Sequence, residues 1–226
     1  MALKKGDFVR IEYTGKFEDF VFDTTDREVA KKHQIESNTQ KYGPMIVCIG
    51  EKQVLVGIDE ALIGKEPNQT FSTDIAPEKA FGKKDAKYIK LIASKKFQEQ
   101  NIQLQPGMQV QVDNQTGIVK TVGAGRTLVD FNHPLSGKTV NYQVKILDLV
   151  TDTKEKLHSI VGIPDVTIKE KKAIIQTPAP LPEEFQEQFS KKITGLIPEL
   201  ESIEFKKKDI SKPVSDQKDQ KQAKPE

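Results

Sequence analysis

The feature that most constrains this chain is a period of two. Val140, Tyr142, Val144 and Ile146 alternate with polar residues in the cleanest such run of the sequence, which predicts a strand from a half-buried sheet. A similar run opens the chain: Val9, Ile11 and Tyr13 lie on one side, Arg10 and Glu12 on the other, as in a half-buried antiparallel strand. No apolar stretch approaches the about 18 residues needed to cross a membrane, and residues 1–7 lack the apolar core of a signal peptide. A cytoplasmic protein with no membrane partner is expected.

Between these runs the chain reads as short elements. Val21-Phe22-Asp23 ends a second strand, the polar stretch 24–42 holds a short surface helix over Asp26–Lys32, and Met45–Ile49 forms a buried strand. Val54, Leu55 and Val56 lead through a turn at Gly57 into a short helix over Ile58–Ile63, closed by Gly64. Phe71, Thr73 and Ile75 alternate as a strand that Pro77 stops. Tyr88–Ala93 is a further strand, followed by a helical turn. A meander then carries Val110/Val112, Ile118/Val119 and Leu128/Val129, with Asn114, Gly117, Gly123 and Gly125 as its breaks.

Beyond Asp152 a linker or helix start precedes a hairpin, Val166–Ile168 with Ala173–Ile175. A helix opened by Pro182 then sets Phe185, Phe189, Ile193 and Leu196/Ile197 on one face, and Ser202–Phe205 is a closing strand. From Lys206 the Lys/Asp/Gln/Pro-rich sequence predicts disorder.

The chain has 226 residues, 36 % of them hydrophobic, which suits several small cores better than one large one. Its 35 Lys and Arg against 33 Asp and Glu give no bulk charge that calls for nucleic acid. Cys48, the one cysteine, excludes an intrachain disulfide and reads as a small buried hydrophobe. His33, His133 and His158 are scattered, and His133 before Pro134 reads as a turn residue. Neither a metal nor a cofactor is expected.

Four segments, in order, resemble the FKBP family. They are Val9-Arg10-Ile11-Glu12-Tyr13-Thr14-Gly15 with Phe22-Asp23; Ile49-Gly50 through Val54–Leu62; Pro77-Glu78-Lys79-Ala80-Phe81-Gly82; and Val140–Ile146. Val129-Asp130-Phe131-Asn132-His133-Pro134-Leu135-Ser136-Gly137 further resembles the segment that re-enters the isomerase fold from the inserted flap of SlyD-like members. The insertion at 24–42 and the region after 152 resemble the long archaeal type.

The resemblance implies an α+β fold: an antiparallel sheet wrapped on a short helix, a β-rich insert-in-flap domain, and a small C-terminal α+β domain. The implied division is 1–85 with 132–152 for the isomerase, 86–131 for a chaperone-like insert, 155–208 for the C-terminal domain and 209–226 for a disordered tail. It implies a peptidyl-prolyl cis-trans isomerase with catalytic residues Tyr13, Asp23, Phe81 and Tyr142. Phe22, Met45, Val54, Leu55 and Ile58 would line the prolyl pocket, and Ile118, Val119 and Leu128 would offer the insert's surface to unfolded chains. Ile58 stands where simple FKBPs often have Trp and Phe81 where many have Tyr, which implies a smaller aliphatic floor and no hydroxyl for a bound carbonyl.

Asp23 either orients the cleft through a hydrogen bond with Tyr13 or acts on the twisting amide, and orientation is the favoured reading. The implied partners are unfolded or partly folded proline-containing polypeptides, served by a monomer. A non-catalytic holdase is the alternative, and an RNA-binding insert, from the likeness of 107–120 to small SH3-like barrels, is a third reading.

Overall fold

The structure is a computed structural model that describes residues 1–99, 101–162 and 166–207. The tail expected at 209–226 lies outside the described residues. Contacts divide the chain into two units, Met1–Val150 and Thr151–Glu226.

In the first unit the elements run β1 (Phe8–Phe17), β2 (Phe20–Thr24), α1 (Arg27–Lys32), β3 (Met45–Cys48), α2 (Val56–Leu62), β4 (Thr70–Ile75), β5 (Ile89–Ala93), α3 (Lys95–Gln98), β6 (Gln109–Val112), β7 (Gln115–Val122), β8 (Arg126–Asp130) and β9 (Val140–Leu149). The main sheet is antiparallel in the order β2-β1-β9-β4, with β3 also on β1. β1 is long enough to serve two partners: its residues 8–11 pair with β3 and its residues 14–17 with β2. The chain therefore leaves the sheet at Thr24 and rejoins it at Met45, and the polar stretch between carries α1, capped by Asp26 Oδ1.

The two alternating runs supply the core. Val9, Ile11, Val140, Tyr142, Val144 and Ile146 are buried, and α2 lays Ile58 and Leu62 against them. Each such side chain contributes about 1.5–3 kcal/mol on burial. The helix starts two residues before the expected Ile58. Gly57 is accordingly inside it and is not a turn residue. A Cβ there would collide with the Ile75 side chain, so the glycine is what lets α2 approach β4.

The second sheet has the order β5-β8-β7-β6, all antiparallel. Its β6–β7 turn takes positive φ at Asp113 (49°) and Asn114 (62°), the geometry that closes a two-residue hairpin. Phe97 from α3 caps a small core of Val110, Val112, Val119 and Val129. Gly117, expected as a break, lies inside β7. An added Cβ would stand 2.6 Å from Val129 Cγ1 and 2.8 Å from Phe131 Cδ1, so side chains on the neighbouring strand require the glycine.

The second unit consists of α4 (Thr153–Val161), β10 (Val166–Lys169), β11 (Lys172–Thr177), α5 (Glu183–Leu196) and β12 (Ser202–Lys207). The expected linker at 152–158 is the beginning of α4: Asp152 Oδ1 accepts from Glu155 N at 2.8 Å, and Gly162 ends the helix in a left-handed conformation (φ 67°). β10 and β11 form the expected hairpin, whereas β12 lies parallel to β11 because α5 carries the chain back across the sheet. β12 extends to Lys207, so Lys206 and Lys207, expected to be disordered, sit in register with Gln176 and Thr177. Among the described residues, no helix is long and apolar enough to cross a membrane.

Candidate active site

Three strands meet at one row of the main sheet. Gly15 of β1 has Asp23 of β2 as its partner on one side and Tyr142 of β9 on the other. With no side chain between them, the Tyr142 ring lies across Gly15 and its hydroxyl donates to Asp23 Oδ2 at 3.3 Å. A Cβ on Gly15 would stand 2.7 Å from Tyr142 Cζ and 3.0 Å from Phe22 Cζ. The glycine is thus a steric requirement of the arrangement. The Tyr13 phenol hydrogen-bonds the same carboxylate, as expected, and Tyr142 is a further donor to it.

The aromatic side chains form a continuous wall around this pair. Tyr13 meets Tyr142 edge-on with centroids 5.7 Å apart, Tyr142 meets Phe22 at 5.7 Å, and Phe22 meets Phe81 at 5.6 Å. Such T-shaped contacts contribute about 0.5–1.5 kcal/mol each beyond burial, and they fix ring orientation. Met45, Val54 and Leu55 are half-buried and pack on the same cluster. Ile58 lies in the same core at 1 % exposure. All the residues expected at the prolyl pocket therefore pack on one cluster.

Burial governs the electrostatics. The Asp23 carboxyl is held above its usual range because burial outweighs the hydrogen bonds from Tyr142, the Thr24 backbone N–H and Tyr13 that favour its charged form. Burial and the nearby Asp23 charge push the Tyr13 phenol up to about 12. The same causes drive Tyr142 far above the ordinary phenol range. Both phenols stay protonated at neutral pH and act as donors. The site offers an apolar wall, one carboxylate and two fixed hydroxyls, and no nucleophile is paired with a base in it.

Two supports were not legible as such. Tyr13 falls where β1 has left β3 and not yet joined β2. Its backbone is satisfied instead by Thr25, whose Oγ1 accepts from Tyr13 N at 2.9 Å and whose N donates to Tyr13 O at 3.0 Å. The Thr24-Thr25 pair after a strand is the signal for such a cap. The second support is His133, read as a turn residue, whose ring stacks on Phe81 at 4.4 Å and 4°.

The insert residues are placed elsewhere. Leu128 lies opposite Leu91 of β5, and Ile118 opposite Asp130, so Ile118 and Leu128 share the outer face of the second sheet. Leu91, not anticipated, is the most open apolar residue there at 63 % exposure. Val119 is corrected: at 1 % exposure it belongs to the opposite, core face beneath Phe97 and offers no surface to a client.

Residues 90–135 match the family described as FKBP26, IF domain. The chain is 31 % identical over 147 residues to the short-type peptidyl-prolyl cis-trans isomerase of Methanocaldococcus jannaschii, an alignment covering 65 % of this chain and 94 % of that one. It is 31 % identical over 136 residues to the FKBP-type peptidyl-prolyl cis-trans isomerase SlyD of Helicobacter pylori, covering 58 % of this chain and 72 % of the relative. A probable FKBP-type 16 kDa peptidyl-prolyl cis-trans isomerase of Pseudomonas fluorescens is 32 % identical over 111 residues, 47 % of this chain and 73 % of its own. An aromatic cluster on an antiparallel sheet and relatives covered over most of their length agree: the chain belongs to the FKBP-type family of peptidyl-prolyl cis-trans isomerases.

Proposed function

We propose that the protein accelerates cis-trans isomerisation of X-Pro bonds in folding polypeptides by drawing the prolyl amide out of water. Resonance makes rotation about a peptide bond cost roughly 18–20 kcal/mol. The planar amide is more polar than the twisted one, so water favours the ground state and a dry apolar cleft favours the transition state. Tyr13, Phe22, Met45, Val54, Leu55 and Phe81, with Ile58, supply that cleft. No acid, base or nucleophile has to act.

The observation that carries the reading is the Tyr142–Asp23 hydrogen bond at the centre of this wall. Tyr142 and Asp23 hold each other, and Asp23 holds Tyr13, so the residues at the polar end of the cleft are preorganised before a chain enters. Orientation of the cleft is the role this assigns to Asp23. Acceleration of X-Pro exchange in a short peptide, lost in Asp23→Ala, tests it.

The unit 86–131 is proposed as a chaperone-like insert between the two parts of the isomerase domain, with residues 155–208 as a separate C-terminal domain. Its clients are unfolded, proline-containing chains held on the outer face with Leu91, Ile118 and Leu128. Holding a client beside the pocket raises its local concentration there. That exposed face favours the second reading, a holdase whose pocket binds proline without turning it over. Catalysis and holding separate experimentally, because Asp23 belongs to the pocket and Leu91 to the insert.

A further inference from the structure

We infer that His133 is a positioning residue of the prolyl site, holding the Phe81 ring in the wall of the cleft; this rests on the isomerase reading above. Phe81 stands at the point where the chain leaves the main sheet for the second one, and His133 where it returns. Such a junction leaves a wall residue without a strand of its own to fix it. The returning segment compensates through three contacts. The His133 ring lies parallel to Phe81, centroids 4.4 Å apart and planes 4° apart. Ser136 Oγ donates to Phe81 O at 2.9 Å, and Gly137 N donates to Gly82 O at 2.8 Å. Backbone and ring are thus held separately: Ser136 and Gly137 hold the backbone, and the ring meets Phe22 edge-on and His133 face-on.

The imidazole is itself fixed. Leu135 N donates to His133 Nδ1 at 3.2 Å, which ties the stacked ring to the backbone two residues on. Leu135 is in turn buried in the main core. The sequence of contacts is therefore core, Leu135, His133, Phe81, Phe22, Tyr142, Asp23. His133 is exposed, so it adds little to the core, and a purely structural role would not explain a flat ring laid on a pocket residue. A loosened wall loses contact with the planar and the twisted amide alike, so the effect falls on KM more than on kcat.

The test uses the full chain and a short X-Pro peptide, with three variants. His133→Ala and His133→Asn both remove the ring, and Asn can still accept from Leu135 N. His133→Phe keeps a ring and removes the acceptor. The first two should lower kcat/KM by about threefold to tenfold, the worth of one aromatic contact, mainly through a raised KM. His133→Phe should stay within about twofold of wild type. Phe81 ring proton shifts should move in the Ala and Asn variants even without peptide. Unchanged kcat/KM in His133→Ala, wild-type behaviour of His133→Asn, or equal loss in His133→Phe would overturn the role. Unmoved Phe81 shifts in His133→Ala would overturn the stack itself. An inactive wild-type protein would overturn the isomerase reading, and this role with it, whatever the ring shifts showed.

Discussion

Tyr142 and Asp23 share a hydrogen bond of 3.3 Å although their strands, β9 and β2, are not neighbours in the sheet. Both are cross-strand partners of Gly15, on opposite sides of β1, and the bond passes over the one position in that row with no side chain. A conformationally ordinary glycine thereby becomes part of the site.

Gly15→Ala should therefore damage activity more than an alanine in a strand ordinarily would. The new Cβ meets Tyr142 Cζ at 2.7 Å and Phe22 Cζ at 3.0 Å, so both rings must shift. A stability loss of about 1–3 kcal/mol in denaturant unfolding is expected from overpacking. Loss of isomerase activity on the order of tenfold to a hundredfold should accompany it, because the displaced groups are the preorganised ones. Activity retained with only the stability loss would show that the Tyr142 position is not critical.

The strands and their inward faces were readable because period-two alternation records burial directly. The alternating runs Val9–Tyr13 and Val140–Ile146 fall within β1 and β9 for that reason. The glycines were not readable in this way: Gly57 and Gly117 are required by Ile75 and Val129, partners distant in the chain whose approach no local pattern encodes. Tyr142 as a second partner of Asp23, beside Tyr13, is likewise not encoded locally. It depends on register, and the β1–β2 ladder slips between Gly15 and Lys16. Ile118 and Val119 read as one apolar pair in the sequence, yet adjacent strand residues face opposite ways.

The raised carboxyl of Asp23 sets a pH dependence. A folded-state pKa above the ordinary 3.8 means that the native state holds the proton more tightly than the unfolded chain. Stability from this group is fully present below that value and is lost as pH rises through the raised folded value. Asp23→Asn, which keeps the shape without the charge, should remove this loss. Its advantage in denaturant midpoint over wild type should be larger at neutral pH than in acid. Equal differences at both pH values would contradict the burial account. Tyr13, shifted to about 12, predicts a second loss as pH rises from its ordinary 10.0 towards 12.

The two faces of the second sheet should respond differently to substitution. Leu91→Ser combined with Leu128→Ser alters the outer face, and should weaken suppression of client aggregation while leaving short-peptide isomerisation within about twofold, the scatter of a distant surface change. Val119→Ala opens the core under Phe97 and should cost about 1–3 kcal/mol of stability. Deleting residues 86–130 and closing the gap should impair protein refolding far more than peptide exchange. Equal losses in both assays would count against the insert as a client-holding face.

The most direct test of the central claim is NMR exchange spectroscopy on a short X-Pro peptide with catalytic amounts of the protein, of Asp23→Ala and of Tyr142→Phe. Uncatalysed exchange takes tens of seconds or longer, so acceleration is read against a slow background. The account predicts fast exchange with wild type and strong suppression by either substitution, with fold retained in both. Peptide binding without faster exchange would contradict it and leave the holdase reading in its place, and full activity in Asp23→Ala would contradict the role given to that carboxyl.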